Sequence, residues 1–176
     1  MNTYIALLRG INVSGKKKIK MADLRGHLAE LNFNNLQTYI QSGNIVFESE
    51  LTDIRELEQA IHKKILEKYG FEVPVLIVKP DYLKTVLDKN PYKTHETKQL
   101  YYTFLAETPA PELVEKLKTY NYSPEETQLV ERHIYFYSPL SYGRSKMNNN
   151  FFEKKLKVAA TTRNWRTLNK LLEMIG

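Results

Sequence analysis

Apolar positions change period repeatedly along the chain, and each change marks an element. Tyr4 to Leu8 is an unbroken apolar run, the pattern of a buried central strand. A polar loop, Arg9 to Lys20, follows. Met21 to Leu31 then carries Leu24, Leu28 and Leu31 at helical spacing, with Asp23 in the first turn where the helix dipole favours an acid. Leu36 to Ile40 and Ile45 to Phe47 predict two strands, joined by Gln41-Ser42-Gly43-Asn44, a composition that closes a hairpin. Thr52 is positioned to cap a helix whose apolar face is Ile54, Leu57, Ile61 and Ile65, and Gly70 ends it. Val73 to Val78 is the fourth strand of this stretch.

The same order then recurs. A bridging helix near Asp81 to Leu87 stops at Asn90-Pro91. Leu100 to Leu105 predicts a strand, Pro111 to Leu117 a helix, and Thr127 to Val130 with Ile134 to Tyr137 a hairpin around Glu131-Arg132. Phe152 and Leu156 share one helical face, Val158 to Thr161 predicts a short final strand, and Trp165, Leu168, Leu172 and Ile175 mark a terminal helix. The halves share element order and little residue identity, so pattern repeats rather than sequence. The reading is an α+β fold of two tandem ferredoxin-like βαββαβ halves with a C-terminal helix. Residues 1–79 form the first half, and 80–176 form the bridging helix, the second half and the terminal helix. No Ser-, Gly- or Pro-rich linker separates them, which predicts close packing. The alternative is one larger mixed sheet.

That topology directs attention to one corner. In a split βαβ unit the end of the first strand and the hairpin joining the second and third lie at one edge of the sheet. Here those segments are the Arg9–Lys20 loop and Gln41–Asn44. The loop brings cations and the permissive backbone of Gly10 and Gly15, while the hairpin brings Gln41, Ser42 and Asn44 as neutral hydrogen-bonding groups. A phosphate or carboxylate held between them is one reading; a plain hairpin turn beside solvated lysines is the other.

Charge strengthens the first reading. The net charge is +6, but residues 9–25 alone carry six Lys or Arg against Asp23, and residues 140–176 carry eight against Glu153 and Glu173. Two basic segments on an otherwise acidic chain predict that anions meet the protein at particular places, unless these are only solvated faces. Gly10-Ile-Asn-Val-Ser-Gly15-Lys16-Lys17 nearly spells a P-loop, but Lys17 stands where a hydroxyl must hold magnesium, and the next helix starts too late to sit under the phosphates. Tyr142-Gly143-Arg144-Ser145-Lys146 offers two cations before a helix, or a loop with Ser145 as a helix cap. Arg163 and Arg166 flank Trp165, the sole tryptophan, which either stacks on a ring or anchors the last helix in the core. The topology predicts that the Tyr142 and Thr161 segments lie at opposite ends of their half.

Other chemistry is excluded or unsupported. Cysteine is absent, which removes disulfides, thiolate metal sites and a cysteine nucleophile and fits a reducing, cytoplasmic compartment. The longest apolar run is far short of a membrane span, and the first residues read as a strand rather than a signal peptide. The four histidines are scattered without metal-ligand spacing, no nucleophile elbow occurs, and Glu125-Glu126 reads as a loop pair without a partner. The first and third strands lack the aromatic signature of an RNA-recognition sheet.

Tyr4-Ile5-Ala6-Leu7-Leu8-Arg9-Gly10-Ile11-Asn12-Val13, then Gly15-Lys16 and Lys20-Met21-Ala22-Asp23-Leu24-Arg25, resembles the opening of a widespread bacterial family, domain of unknown function 1697. Thr38-Tyr39-Ile40-Gln41-Ser42-Gly43-Asn44-Ile45-Val46-Phe47 resembles its second block, and Gly143–Lys146 and Thr161–Thr167 its closing blocks. Ser14 stands where members often carry another glycine. The resemblance implies an α+β fold and no established activity, substrate or catalytic residue.

Three functions compete. The first is a binder of a phosphate-bearing ligand, a nucleotide or a nucleic acid backbone, through Arg9, Asn12, Lys16, Gln41, Ser42, Asn44, Arg144, Lys146, Arg163 and Trp165. The second is an enzyme on a small anionic, phosphorylated metabolite, oriented by Arg9, Lys16 and Arg163 and polarised by Asn12, Gln41, Ser42 and Asn44, but without an evident general base. The third is a protein–protein interaction module. No cofactor, metal or membrane is called for, and oligomeric state is left open.

Overall fold

A computed structural model describes residues 1–176. Eight strands and six α-helices form two four-stranded antiparallel sheets. Contacts divide the chain into two compact units, Met1–Thr85 with Lys170–Gly176, and Val86–Asn169.

In the first unit the elements run β1 (Asn2–Leu8), α1 (Met21–Ala29), β2 (Asn34–Tyr39), β3 (Asn44–Ser49), α2 (Ile54–Tyr69) and β4 (Val75–Val78). The sheet order is β2-β3-β1-β4, with every neighbouring pair antiparallel. Tyr4 to Leu8 are fully buried, because β1 is central and both of its faces are covered. Tyr4, Ala6 and Leu8 join Ile45 and Phe47 on the face that packs with Leu24 and Leu28 of α1 and Leu57, Ile61 and Ile65 of α2. Those α2 residues recur every fourth position, so one stripe of the helix meets the sheet. The cap of α2 is Asp53 rather than Thr52: its carboxylate accepts from the N–H groups of Arg55 at 2.8 Å and Glu56 at 3.4 Å. Gly70, at φ +74°, ends α2 in the left-handed conformation. The fourth strand starts at Val75, not Val73, since Pro74 has no N–H to give a ladder.

The second unit continues with β5 (Leu100–Leu105), α4 (Pro111–Leu117), β6 (Glu126–Val130), β7 (His133–Tyr137), α5 (Asn149–Leu156) and β8 (Ala160–Asn164). Helix α3 (Pro80–Asp88) precedes them and α6 (Trp165–Glu173) follows. The sheet order is β6-β7-β5-β8, again antiparallel throughout. Leu105, Ile134 and Phe136 pack with Leu117, Phe152 and Leu156. The last strand is displaced from the predicted Val158–Thr161. Lys157, at φ +59°, ends α5, and the Glu153 carboxylate takes the Ala160 N–H at 2.9 Å. Pairing with β5 then carries the polar run Thr161 to Asn164 as strand, which composition alone reads as a loop. No helix is long and apolar enough to cross a membrane.

Candidate functional site

The polar loop after β1 is an ordered structure. Ile11 and Ile19 are buried and pin its two ends to the core. Between them the chain makes a miniature hairpin: the Lys16 N–H donates to Val13 O at 2.9 Å, and the Asn12 N–H to Lys17 O at 3.1 Å. Its tip is Ser14-Gly15, at φ +50° and +73°, the paired positive angles of a type I′ turn. Asn12 holds this hairpin in place. Its Nδ2 donates to Ile19 O at 2.9 Å and to Gln41 O at 2.8 Å, while its Oδ1 accepts from the Ile19 N–H at 2.8 Å.

The β2–β3 hairpin meets the loop from the other side. The Leu8 N–H donates to Gly43 O at 2.8 Å. Gly43, at φ +80°, sits so close to β1 that a Cβ there would lie 2.6 Å from Leu8 Cβ and 2.9 Å from Ile11 Cδ1. The loop and the hairpin are therefore neighbours. Their side chains divide into two groups. Asn44 is fully buried and its Nδ2 donates to Tyr39 O at 3.0 Å and Ser42 Oγ at 2.9 Å, so Asn12, Ser42 and Asn44 use these groups to brace the corner. Lys16, Lys18, Lys20 and the Gln41 side chain are exposed, and Arg9 is half-buried. Lys17 is tied down, with Nζ donating to Glu72 O at 2.6 Å and lying 6.0 Å from the Phe71 ring centre. No carboxylate pairs with Lys16, Lys18 or Lys20. Helix α1 begins four residues beyond Lys17, at Met21, so its N-terminus does not underlie the loop as it does in a P-loop.

Arg144, Lys146, Arg163 and Trp165 belong to the second unit. Arg144 and Lys146 are exposed. Ser145 is not the cap of α5: its Oγ accepts from the Met147 N–H at 2.9 Å, and Asn148 caps the helix by accepting from the Phe151 N–H at 3.1 Å. Arg163 lies in β8, only 9% exposed, with Nη1 donating to Thr162 O at 2.9 Å. Burial pulls its pKa down to about 10, partly opposed by the Tyr142 phenol. Trp165 is half-buried at the first position of α6. The Tyr142 and Thr161 segments, predicted at opposite ends of the half, are joined through Asn149. Its N–H donates to Tyr142 Oη at 3.1 Å and its Oδ1 accepts from Thr162 Oγ1 at 2.6 Å.

One feature had no signal in the periodicity. A cleft of about 360 Å³ opens in the second unit between α4 and β6, walled by Val114, Leu117, Tyr120, Tyr122 and Leu129 with Tyr92 at one side. Glu125 and Glu126 line it; Glu125 lies in the loop as expected but has a partner, and Glu126 is strand rather than loop. Glu125 is buried and accepts from Ser138 Oγ at 2.6 Å, while Glu126 opens β6. The aromatic spacing Tyr120–Tyr122 just ahead of a strand is the sequence feature that could have drawn attention to it. No group of three His, Asp or Glu side chains gathers as a metal site.

These observations define an α+β protein of two like-ordered antiparallel sheets, with a braced cationic corner on the first. The chain belongs to the family described as Protein of unknown function (DUF1697), whose profile matches residues 1–135. That span includes the corner and the cleft-forming strand β6 and stops short of the Gly143 and Thr161 blocks. The fold is also similar to that of "conserved bacterial protein SP0830 from Streptococcus pneumoniae", with a TM-score of 0.77 and 24% identity over 99% of this chain and 98% of that one. No curated protein matches the chain.

Proposed function

We propose that the corner formed by the Arg9–Lys20 loop and the Gln41–Asn44 hairpin binds a phosphate-bearing ligand, a nucleotide or a nucleic acid backbone. The observation that carries this reading is the three-bond brace of Asn12. It fastens a turn bearing Lys16 and Lys18 to the Gln41 corner and leaves those ammonium groups without a carboxylate. Fixing like charges near one another is unfavourable without an anion to share them, and a stiff backbone of positive-φ residues lowers the entropy lost when one binds. Lys16, Lys18 and Gln41 contact the ligand, Arg9 adds charge beside it, and Asn12, Ser42 and Asn44 hold the frame. In the second unit, Arg144 and Lys146 are exposed cations that offer a separate anion contact, with Trp165 as a stacking surface and Arg163 supporting from within β8. Each half, 1–79 and 80–176, is in this reading a ferredoxin-like βαββαβ unit, which the strand order β2-β3-β1-β4 and its repeat support.

Fluorescence anisotropy with a generic single-stranded oligonucleotide, titrated at several salt concentrations, tests the polymer form, and thermal shift with nucleotides and phosphosugars tests the small-ligand form. Affinity should fall with salt, and the Lys16→Ala/Lys18→Ala double variant should shallow the log–log slope by about 0.7 per lost phosphate contact. For a nucleotide, the same variant should abolish the rise in melting temperature. Salt-indifferent binding, or no response in either assay, removes the reading.

A further inference from the structure

We infer that the cleft between α4 and β6 is a docking groove for an extended peptide, which adds a fifth strand to the second sheet along β6 and sets a Lys or Arg side chain against Glu126. This goes beyond the anion corner and concerns a different unit, so neither depends on the other.

β6 is an edge strand that pairs only with β7, and no backbone bond joins Glu126 to Val130 to anything else. Every second residue of such a strand turns its N–H and C=O away from the sheet, ready to pair. Proteins blunt such edges with bulges, prolines or lysines. The first sheet does so: the β2–β3 register breaks between Asn34 and Gln37, with Asn35 at φ +47°. β6, Glu-Thr-Gln-Leu-Val, has no proline and no lysine, and its five-pair register is unbroken. None of its side chains is buried, so the edge is reachable.

The cleft then decides what pairs there. It runs beside residues 126–129 of that edge, the length of a four-residue strand at about 3.3 Å per residue. A helix along one side and an open edge along the other is the arrangement by which sheets capture extended peptides, with backbone bonds for affinity and side-chain pockets for selectivity. Val114, Leu117 and Leu129 receive apolar side chains. The charges present are mostly spent: Lys118 pairs with Glu115 at 2.6 Å, and Glu125 holds Ser138. Glu126 has no hydrogen-bond or ion partner and stands near enough to Tyr92 to help raise that phenol's pKa, behind the larger effect of burial. A carboxylate beside an aromatic ring suits a cationic side chain, which the ring face also attracts.

A capped, fluorescein-labelled peptide of alternating Thr and Val with one central Lys is the probe, read by anisotropy on the full chain. Exchanging its Lys for Glu, or Glu126→Gln in the protein, should each weaken binding at least fivefold. N-methylation of alternate peptide nitrogens should abolish it, with circular dichroism checking that the variant protein is folded. Equal binding of the Lys and Glu peptides, or of the N-methylated peptide, overturns the inference. So does butylammonium binding as tightly as the peptide, which indicates a small-amine site, and so does no binding. Self-association of the protein that Glu126→Gln leaves unchanged, with the peptide failing to compete, assigns the edge to a second copy and overturns it as well.

Discussion

Gly43→Ala gives the sharpest test of how the corner is built. Two costs combine there. An L-residue at φ +80° is strained by about 1–2 kcal/mol. The new methyl would also stand 2.6 Å from Leu8 Cβ and 2.9 Å from Ile11 Cδ1. Ile11 Cδ1 is the end of a flexible side chain and can retreat; Leu8 Cβ is fixed to the central strand and cannot. Relieving that contact means separating β1 from the hairpin and stretching the Leu8 N–H to Gly43 O bond, an overpacking cost of about 1–3 kcal/mol. The whole is about 2–5 kcal/mol. Gly10→Ala is the control, since Gly10 has φ +75° and nothing within 4 Å, so only the conformational cost of about 1–2 kcal/mol applies. With a urea dependence of about 2 kcal/mol per molar, Gly43→Ala should lower the unfolding midpoint by roughly 1–2.5 M and Gly10→Ala by about 0.5–1 M. Far-UV circular dichroism measures both, and hydrogen exchange across residues 36–49 should localise the Gly43→Ala effect. Equal midpoints for the two variants refute the close-approach argument.

Two further changes probe other parts. Asn12→Ala removes three hydrogen bonds and leaves Ile19 N–H and O and Gln41 O to find water, a loss of about 2–3 kcal/mol. Asn12→Asp keeps the bond from the Ile19 N–H and should fall between wild type and Ala in the same urea assay; an Ala variant as stable as wild type contradicts the brace. Tyr102 supplies a pH test. Burial pushes its phenol up to about 12, although the bond from Asn90 Nδ2 at 2.8 Å favours the ionised form. The folded chain thus keeps a proton that the unfolded chain loses near pH 10, so stability should fall as pH rises through 10 and level off above about 12. Tyr102→Phe should shallow that decline, with Tyr69, Tyr92 and Tyr135, all raised by burial, still contributing. Superimposable alkaline profiles would exclude Tyr102 as a source.

Element order was readable because periodicity reports burial, and burial dominates in β1, α2 and β3. Boundaries were less so. Thr52 and Asp53 are adjacent and both able to cap; only the direction of the chain into α2 selects the carboxylate. β8 was expected at Val158–Thr161 and its polar end was missed, because Thr162, Arg163 and Asn164 become strand only through long-range pairing with β5. The site shows the same limit. Sequence placed Asn12 and Asn44 at the corner but could not say whether their amides face a ligand or the backbone; both hold carbonyls. Glu125 and Glu126 looked alike, yet Glu125, in the loop ahead of β6, is buried on Ser138, and Glu126, the first residue of β6, is open on an edge.

The two units repeat a pair of backbone bonds that sequence identity hides. At the end of β1 the Leu8 N–H reaches the hairpin at Gly43 O, 2.8 Å, and the Arg9 N–H reaches Pro74 O, 3.0 Å. At the end of β5 the Leu105 N–H reaches the hairpin at Arg132 O, 2.8 Å, and the Ala106 N–H reaches Ala159 O, 2.9 Å. The stitch comes with the topology and carries no function by itself. What differs is the chain that follows. After β1 it is a long cationic loop braced by Asn12; after β5 it is Ala106 to Ala110, with Glu107 and no cation. In the second unit Arg132 comes from the hairpin instead and turns its guanidinium back to Ala106 O at 2.9 Å. The cationic loop is therefore an insertion on a shared frame rather than a property of the frame. The second unit, without that insertion, has a regular β6–β7 register and a cleft beside it, where the first has a bulge between β2 and β3.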